Sequence, residues 1–229
     1  MFKNRSDKKE LLDQENIPEI DLYLNLKELN VINNLLGGYS ITFNALNKIL
    51  DKNKSYTLVD IGSGGGDTLK EIHRWAAKHD YHLKLFGIDL KESCINYSIT
   101  NDEHEALTFI CDDYRNASKH ILKIDIVHAC LFCHHLTNEN IIQLIKFCKE
   151  QHAILVINDL ERNPIAYYAI KWLTYFFSKS YLVKNDAPLS VLRGFKKREW
   201  VDIIKKSGAT KYSIKYKWAF RHEVIVYAN

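Results

Sequence analysis

"LVDIGSGGGDTLKEI", Leu58 to Ile72, sets an apolar run, a glycine cluster and an amphipathic run in direct succession. The stretch "YTLVDI" over 56–61 predicts a buried strand, and the spacing after the glycines predicts a helix from about Asp67 to Lys78. Gly62, Gly64, Gly65 and Gly66 lie between them, where a glycine turn lets backbone approach a ligand and aims amide N–H groups at it. Three kinds of cofactor turn have this outline. A phosphate-binding loop needs Gly-Lys-Ser/Thr at its end, which is absent. The dinucleotide fingerprint G-x-G-x-x-G needs glycine at position 67, which is Asp67. What remains is G-x-G-x-G preceded by an acidic residue, Asp60.

The same alternation continues downstream. "LKLFGI" (83–88), "ALTFIC" (106–111), "IDIVHACLF" (124–132) and "AILVIN" (153–158) read as further strands. Helices are expected after Lys91 and from about Asn138 to Lys149. Apolar strands alternating with helices predict a parallel sheet covered on both faces, with ligands at the carboxyl ends of the strands where strand order reverses. Upstream, the first 50 residues read as helical. Tyr23, Leu26, Leu29, Ile32 and Leu36 keep near-helical spacing, Gly37-Gly38 is a stop, and Ser40 is placed to cap a second helix.

Bulk properties narrow the classes of function. The 32 basic and 28 acidic residues leave a net charge of +4, spread through short Lys-rich segments and not gathered in a stripe, which argues against a nucleic-acid binder. The charged start "MFKNRSDKKELLDQE" has no apolar signal core. The most apolar later run, Ile165 to Phe177, is interrupted by Lys171 and is too short to span a bilayer. A cytoplasmic chain without a membrane span is expected, its five cysteines reduced.

With these motifs in place, the chain resembles the class I S-adenosylmethionine-dependent methyltransferases over roughly Leu58 to Asn158, with a weaker C-terminal part. "VDIGSGGGD" is similar to the family's first motif, and "LFGIDL" brings Asp89 to the end of strand two, 23 residues after Gly66. The resemblance implies an α/β, Rossmann-like seven-stranded, mostly parallel sheet with an antiparallel C-terminal hairpin. N-terminal helices (1–50) would cap a methyltransferase domain (51–229), with a helical lid at 161–195 after strand five. The implied cofactor is S-adenosyl-L-methionine, held by Gly62, Ser63, Gly64 and Gly66 in the turn. Asp60 would lie near its ammonium, and Asp89 with Leu90 at the ribose. At the end of strand three Asp112, Asp113 and Tyr114 would lie near the adenine, register favouring Asp113. A sulfonium cofactor without phosphates suits carboxylates better than lysines.

"ACLFCHHLTNEN" (129–140) poses a separate question, since Cys130-x-x-Cys133-His134 is also how a haem attachment or half a zinc site reads. On a strand, Cys130 and Cys133 would point to opposite faces, and no second Cys-x-x-Cys exists, so no metal is expected. By the family resemblance this string ends strand four facing the transferred methyl. If the acceptor is a phenol, with a pKa near 10, a base helps, and His134 or His135 is the candidate. His128, mid-strand, reads as buried structure.

The acceptor is expected beneath the parts outside the common core. Ile165, Tyr168, Trp172 and Tyr175 form a stripe at helical spacing that would pack on the sheet, form a homodimer contact, or close as a lid over an aromatic acceptor. Asn158, Asp159 and Arg162 follow strand five, and Arg193 and Phe195 precede a helix at 196–207. The segments "KYSIKYKWAF" and "HEVIVYAN", with Arg221 between them, read as the final hairpin. "INNLLGGY", "NDLERNPIAYY" and "DAPLSVLRGF" resemble bacterial methyltransferases related to quinone-biosynthesis enzymes and placed with polyketide pathways. The expected activity is O-methylation of a small, aromatic, hydroxylated metabolite of secondary metabolism. C- or N-methylation of a quinone precursor or amine, a cofactor-binding module, and a nucleic-acid methyltransferase stand as alternatives. The last lacks the Asn/Asp-Pro-Pro-aromatic string common among amino-methylating enzymes of nucleic acids.

Overall fold

β1 (Ser55–Ile61) lies in the middle of a seven-stranded sheet, parallel to β2 (His82–Asp89) on one side and to β4 (Ile126–Cys130) on the other. A computed structural model describes residues 1–14, 16–102 and 106–227, so the final two positions of the expected 51–229 domain lie outside the described residues. β3 (Thr108–Cys111) pairs with β2 and β5 (Ile154–Leu160) with β4, both parallel. β7 (Arg221–Val226) then runs antiparallel to β5, and β6 (Tyr212–Lys217) antiparallel to β7. The order is β3-β2-β1-β4-β5-β7-β6, so the chain leaves β1 toward one edge and returns on its other side at β4. That reversal opens a crevice above the carboxyl ends of β1 and β4.

Alternation along the strands explains the two cores. Leu58, Leu85, Ile126, Val156 and Ile225 share one apolar cluster, which α2 (Gly38–Leu46) and α3 (Asp67–Lys78) cover with Ala45, Leu46, Leu69, Ile72 and Trp75. Val59, Ile61, Val127, Ala129, Leu155, Ile157 and Val224 point the other way. They meet α6 (Asn138–Glu150) through Ile141, Leu144 and Ile145, and α9 (Lys197–Lys206) through Trp200, Ile203 and Ile204. α4 (Glu92–Thr100) links β2 to β3, and a single turn, α5 (Ala117–His120), follows β3.

Three local expectations change. The fourth strand stops at Cys130 and not at 132, because Leu131 takes φ 52 once its N–H has made the last ladder bond, to the Asn158 carbonyl at 2.9 Å. A non-glycine residue there breaks the ladder without leaving a glycine to read. The second cap helix starts at Gly38, where Gly37 at φ 66 ends α1 (Glu19–Leu35) and opens α2 at once. Ser40 therefore sits inside the first turn, donating to the Gly37 carbonyl at 2.7 Å. Finally, α7 (Pro164–Phe177) does not pack its stripe on the sheet. It rests on α8 (Tyr181–Arg193) and buries only Thr174, while Ile165, Tyr168, Trp172, Tyr175 and Phe176 are exposed. Among the described residues no helix is long and apolar enough to cross a membrane.

Residues 2–13 form a strap over the C-terminal half. Arg162, only 1% exposed, donates from Nε to the Phe2 carbonyl at 3.0 Å, from Nη2 to the Lys3 carbonyl at 3.2 Å, and from Nη1 to the Gly194 carbonyl at 2.6 Å. Its guanidinium also grips the Glu199 carboxylate at 2.8 and 3.1 Å. Further along the strap, Leu11 and Leu12 donate their N–H groups to Asp186 of α8, each at 2.8 Å.

Candidate functional site

The crevice holds a cavity of about 430 Å³, within the range of small-molecule sites. One wall is the glycine turn. Gly62 takes φ 63, and a Cβ built on it would lie 2.1 Å from the Phe132 ring, so both its backbone angle and the close approach of the strand-four turn require glycine. Gly64 N–H donates to Asp89 Oδ2 at 2.9 Å, and Lys91 N–H to Oδ1 of the same carboxylate at 2.9 Å. Asp89 thus braces the turn while lining the cavity beside Leu90. Burial pushes its carboxyl up despite the two amide donors. Ser63 Oγ is a buried atom of the turn without a hydrogen-bond partner among the described residues.

The strand-three residues share this wall. Asp112, Asp113 and Tyr114 all line the cavity. Asp113 accepts the Arg115 N–H at 2.9 Å and pairs with its guanidinium, while Asp112 takes Asn116 Nδ2 at 2.9 Å and His120 Nε2 at 2.7 Å. Both carboxylates are therefore held in place by neighbours on the same turn.

Asp60 lies elsewhere. It is 2% exposed, does not line the cavity, and receives His128 Nδ1 at 2.7 Å, while His128 Nε2 meets Thr42 Oγ1 at 3.0 Å. Paired in register with His128 on the face covered by α2, it pins α2 to the sheet. The carboxylate in the cavity there is Asp67, the residue that replaces the third glycine of the dinucleotide pattern. Asn30 Nδ2 donates to it at 3.1 Å, and the Tyr39 hydroxyl donates to Asn30 Oδ1 at 2.6 Å. Asn33, alongside, has a buried Oδ1 without a hydrogen-bond partner among the described residues. The polar spacing of Asn30 and Asn33 on α1 was the readable signal, masked by the apolar positions that announce the helix.

Burial pushes the Asp67 carboxyl up to about 6. A carboxyl raised above its ordinary value weakens the fold where it is ionised, above pH 6, and that cost disappears as pH falls through 6 toward 4. Asp67→Asn is therefore expected to stabilise the chain by about 1–2 kcal/mol at pH 8, allowing for partial exposure, and to change little near pH 4. Urea unfolding at both pH values measures it; an equal effect at both would show that the charge is not the cause.

The opposite end of the cavity is made by the strand-four turn and the strap. Because β4 ends early, Cys133, His134 and His135 form a single 3₁₀ turn. Cys133 is fully buried in the core and Cys130 is on the cavity wall, so the two thiols do not converge. His134, 3% exposed, places Nδ1 2.7 Å from Asp159 Oδ1, and its own N–H donates to Oδ2 at 3.0 Å. Burial alone would raise the Asp159 carboxyl, but His134 and the backbone donors hold it low. His135 lines the cavity and sets Nδ1 3.0 Å from Asp13 Oδ1. Each Nε2 lies 3.6 Å from an oxygen of Glu10, a carboxyl 3% exposed and pushed by burial to about 7.

Arg5 and Arg193 fix this turn by its carbonyls. Arg193 donates to the His134, His135 and Lys8 carbonyls at 3.0, 3.0 and 2.7 Å, and Arg5 to those of His134 and Leu136 at 3.1 and 2.9 Å. Of the residues expected at the acceptor, Asn158, Asp159, Arg162, Arg193 and Phe195 are buried and do not line the cavity. Asn158 donates to the Gly38 carbonyl at 2.8 Å, and Phe195 packs under the Arg5 guanidinium, 3.9 Å from its centre. Tyr168 and Trp172 face solvent on α7. The cavity is lined instead by residues that include Leu12, Asp13, Leu26, Leu29, His135 and Asn140, with Leu26 beside Gly64 of the glycine turn.

No protein-family model matches the chain, and no curated protein matches it in sequence. Solved structures do match. The plantazolicin methyltransferase BpumL in complex with SAH is similar over 92% of this chain and 96% of its own, with 17% identity and TM-score 0.64. A SAM-dependent methyltransferase from Aquifex aeolicus is similar over 93% of this chain and 100% of its own, with 13% identity and TM-score 0.61. The CurJ carbon methyltransferase is similar over 79% of this chain and 50% of its own, with 13% identity and TM-score 0.56. With strand order β3-β2-β1-β4-β5-β7-β6 and a cavity between the glycine turn and the histidine turn, the chain has the fold of the S-adenosylmethionine-dependent methyltransferases.

Proposed function

We propose that this protein is an enzyme that transfers the methyl group of S-adenosyl-L-methionine to oxygen of a small, aromatic, hydroxylated metabolite. The observation that carries the reading is a single cavity with Asp89 and the glycine turn at one end and His135 with Asp13 at the other. The bound cofactor supplies an electrophilic methyl on a positively charged sulfur. Asp89 accepts from the ribose hydroxyls, Asp112 and Asp113 border the adenine, and Asp67 with Asn30 and Asn33 holds the amino-acid end. Leu12, Leu26 and Leu29 exclude water and suit a flat apolar acceptor, which gains from being held in line with the methyl. His135 is the member of the histidine turn through which the acceptor hydroxyl is activated; His134, locked on Asp159, sets the shape of the turn. A homodimer joined through α7 would cover Trp172, Tyr175 and Phe176.

His135→Ala is expected to keep the fold and lose about 10²-fold in turnover. His134→Ala is expected to lower stability by about 3 kcal/mol, since it leaves Asp159 buried without its partner. Thermal unfolding and turnover of the two variants measure the split, and two near-wild-type enzymes would remove the turn from the chemistry.

A second reading is methylation at carbon, favoured by the likeness to the CurJ carbon methyltransferase. Incubation with carbon-13 methyl-labelled cofactor and an extract of the source cells, followed by heteronuclear NMR, separates the readings by the shift of the transferred methyl. An O-methyl signal on an aromatic product supports the proposal. A C- or N-methyl signal keeps the cofactor and overturns the acceptor chemistry, and no labelled product overturns the transfer itself.

A further inference from the structure

We propose that Glu10, His134 and His135 form a binding site for one divalent transition-metal ion of the zinc class, at the acceptor end of the cavity. One ligand atom from each of the three residues lies within 4.8 Å of those of the other two. The two imidazole rings lie side by side, centroids 4.3 Å apart and planes 37° from parallel, so their Nε2 atoms face the same carboxylate.

Hydrogen bonding fixes which atoms are available. His134 Nδ1 is 2.7 Å from Asp159 and His135 Nδ1 is 3.0 Å from Asp13. A carboxylate only accepts, so each Nδ1 carries the hydrogen and each neutral ring turns an Nε2 lone pair toward Glu10. This is how metal-binding histidines are oriented, with the remote nitrogen donating to a carboxylate. The 3.6 Å between each Nε2 and Glu10 is long for a direct hydrogen bond. It is close to the spacing of about 3.3 Å between two ligands each about 2.0 Å from one tetrahedral ion.

Charge agrees with the geometry. The carboxylates of Glu10, Asp13, Asp159 and Asp186 gather here, and the guanidinium groups facing them are Arg5 and Arg193. Neither of those inserts an N–H between the rings and Glu10. Arg193 donates to the carbonyls of Lys8, His134 and His135, and Arg5 to those of Arg193, His134 and Leu136 and to Asn138. Carboxyl groups outnumber guanidiniums around the cluster, which favours a cation there. Two histidines and a carboxylate suit zinc and its neighbours, and three protein ligands leave a position for another oxygen. His135 lines the cavity, so that position opens toward the acceptor. The inference thus deepens the proposed function: a hydroxyl bound there releases its proton to solvent water more readily and keeps the electron pair that attacks the methyl, with His135 serving as ligand.

Cobalt(II) is the probe. Titrated into the chelator-treated full chain without cofactor or acceptor, it is expected to give a visible d–d band that saturates at one equivalent and is displaced by zinc(II). Glu10→Gln keeps an acceptor for Ser190 Oγ, which donates to Glu10 Oε1 at 2.9 Å. That variant and His135→Ala are each expected to bind cobalt at least 100-fold more weakly, with circular dichroism and SAH affinity unchanged. Cys111→Ser, which removes the exposed thiol, is expected to bind like wild type. No saturable band, a band surviving in both ligand variants, or one lost in Cys111→Ser overturns the site. SAH affinity reports the cofactor reading separately: retained without cobalt binding, it removes the metal alone, whereas its absence in a cobalt-binding chain removes the methyl-transfer reading and leaves the metal.

Discussion

Asp89→Ala is expected to weaken binding of SAH by about 10³-fold while leaving the chain folded. The carboxylate has two tasks. Its oxygens receive the N–H groups of Gly64 and Lys91, both at 2.9 Å, which sets the glycine turn against β2. Each oxygen keeps a further lone pair, and the residue lines the cavity. Burial raising this carboxyl means that the anion is short of donors in the ligand-free chain, so two ribose hydroxyls are welcome there. Hydrogen bonds to a charged group contribute about 1.5–3 kcal/mol each, and two of them lie near 4 kcal/mol, or about 10³ in affinity. Asp89→Asn, which keeps an acceptor, should lose about tenfold. Isothermal titration with SAH decides it, and wild-type affinity in the alanine variant would mean that the cofactor sits elsewhere.

Arg162→Met should cost about 3–5 kcal/mol, the loss expected on breaking a buried ion pair from one side. The guanidinium joins four residues from three pieces of chain: Phe2 and Lys3 of the strap, Gly194 before α9, and Glu199 within α9. At about 2–4 °C per kcal/mol for a chain of this size, the midpoint of thermal unfolding should drop by about 10 °C. SAH affinity should stay within a few fold, because Arg162 does not reach the cavity. The opposite pattern, a lost ligand response with an unchanged midpoint, would return Arg162 to the acceptor role that its place after strand five suggests.

Why the sheet was legible and the site only partly so follows from how far each feature reaches along the chain. A strand or helix advertises itself within a few residues, and the glycine turn, Asp89 and the Asp112–Tyr114 segment sit at strand ends that periodicity locates. Asp60 and Asp67 lie seven positions apart on one motif, yet register with His128 draws the first into the core and leaves the second in the cavity. No local pattern distinguishes them. The end of β4 was hidden because Leu131, not a glycine, takes the left-handed turn. Arg162 follows a strand, and Arg193 and Phe195 precede a helix, as binding residues would, but the strap covers them, and its partners are remote: Asp13 meets His135 across 122 positions. α7 has the periodicity of a packed helix, and nothing in that periodicity says that α8 and the Phe2 ring of the strap, not the sheet, are what it packs against.

The strap also sets an order of events during synthesis. Residues 2–13 leave the ribosome before the residues they bind: Arg5 donates to the Arg193 carbonyl across 188 positions, and the Phe2 carbonyl waits for Arg162 across 160. At about 5–20 residues per second, the strap stays unpartnered for about 10–40 s. Contacts of such long range are slow to close, because the loop entropy is lost before any of them forms. The glycine-turn end of the cavity, closed by Asp89 across 25 positions, therefore forms before the strap end, and a fusion partner placed ahead of Phe2 would burden the step that docks the strap.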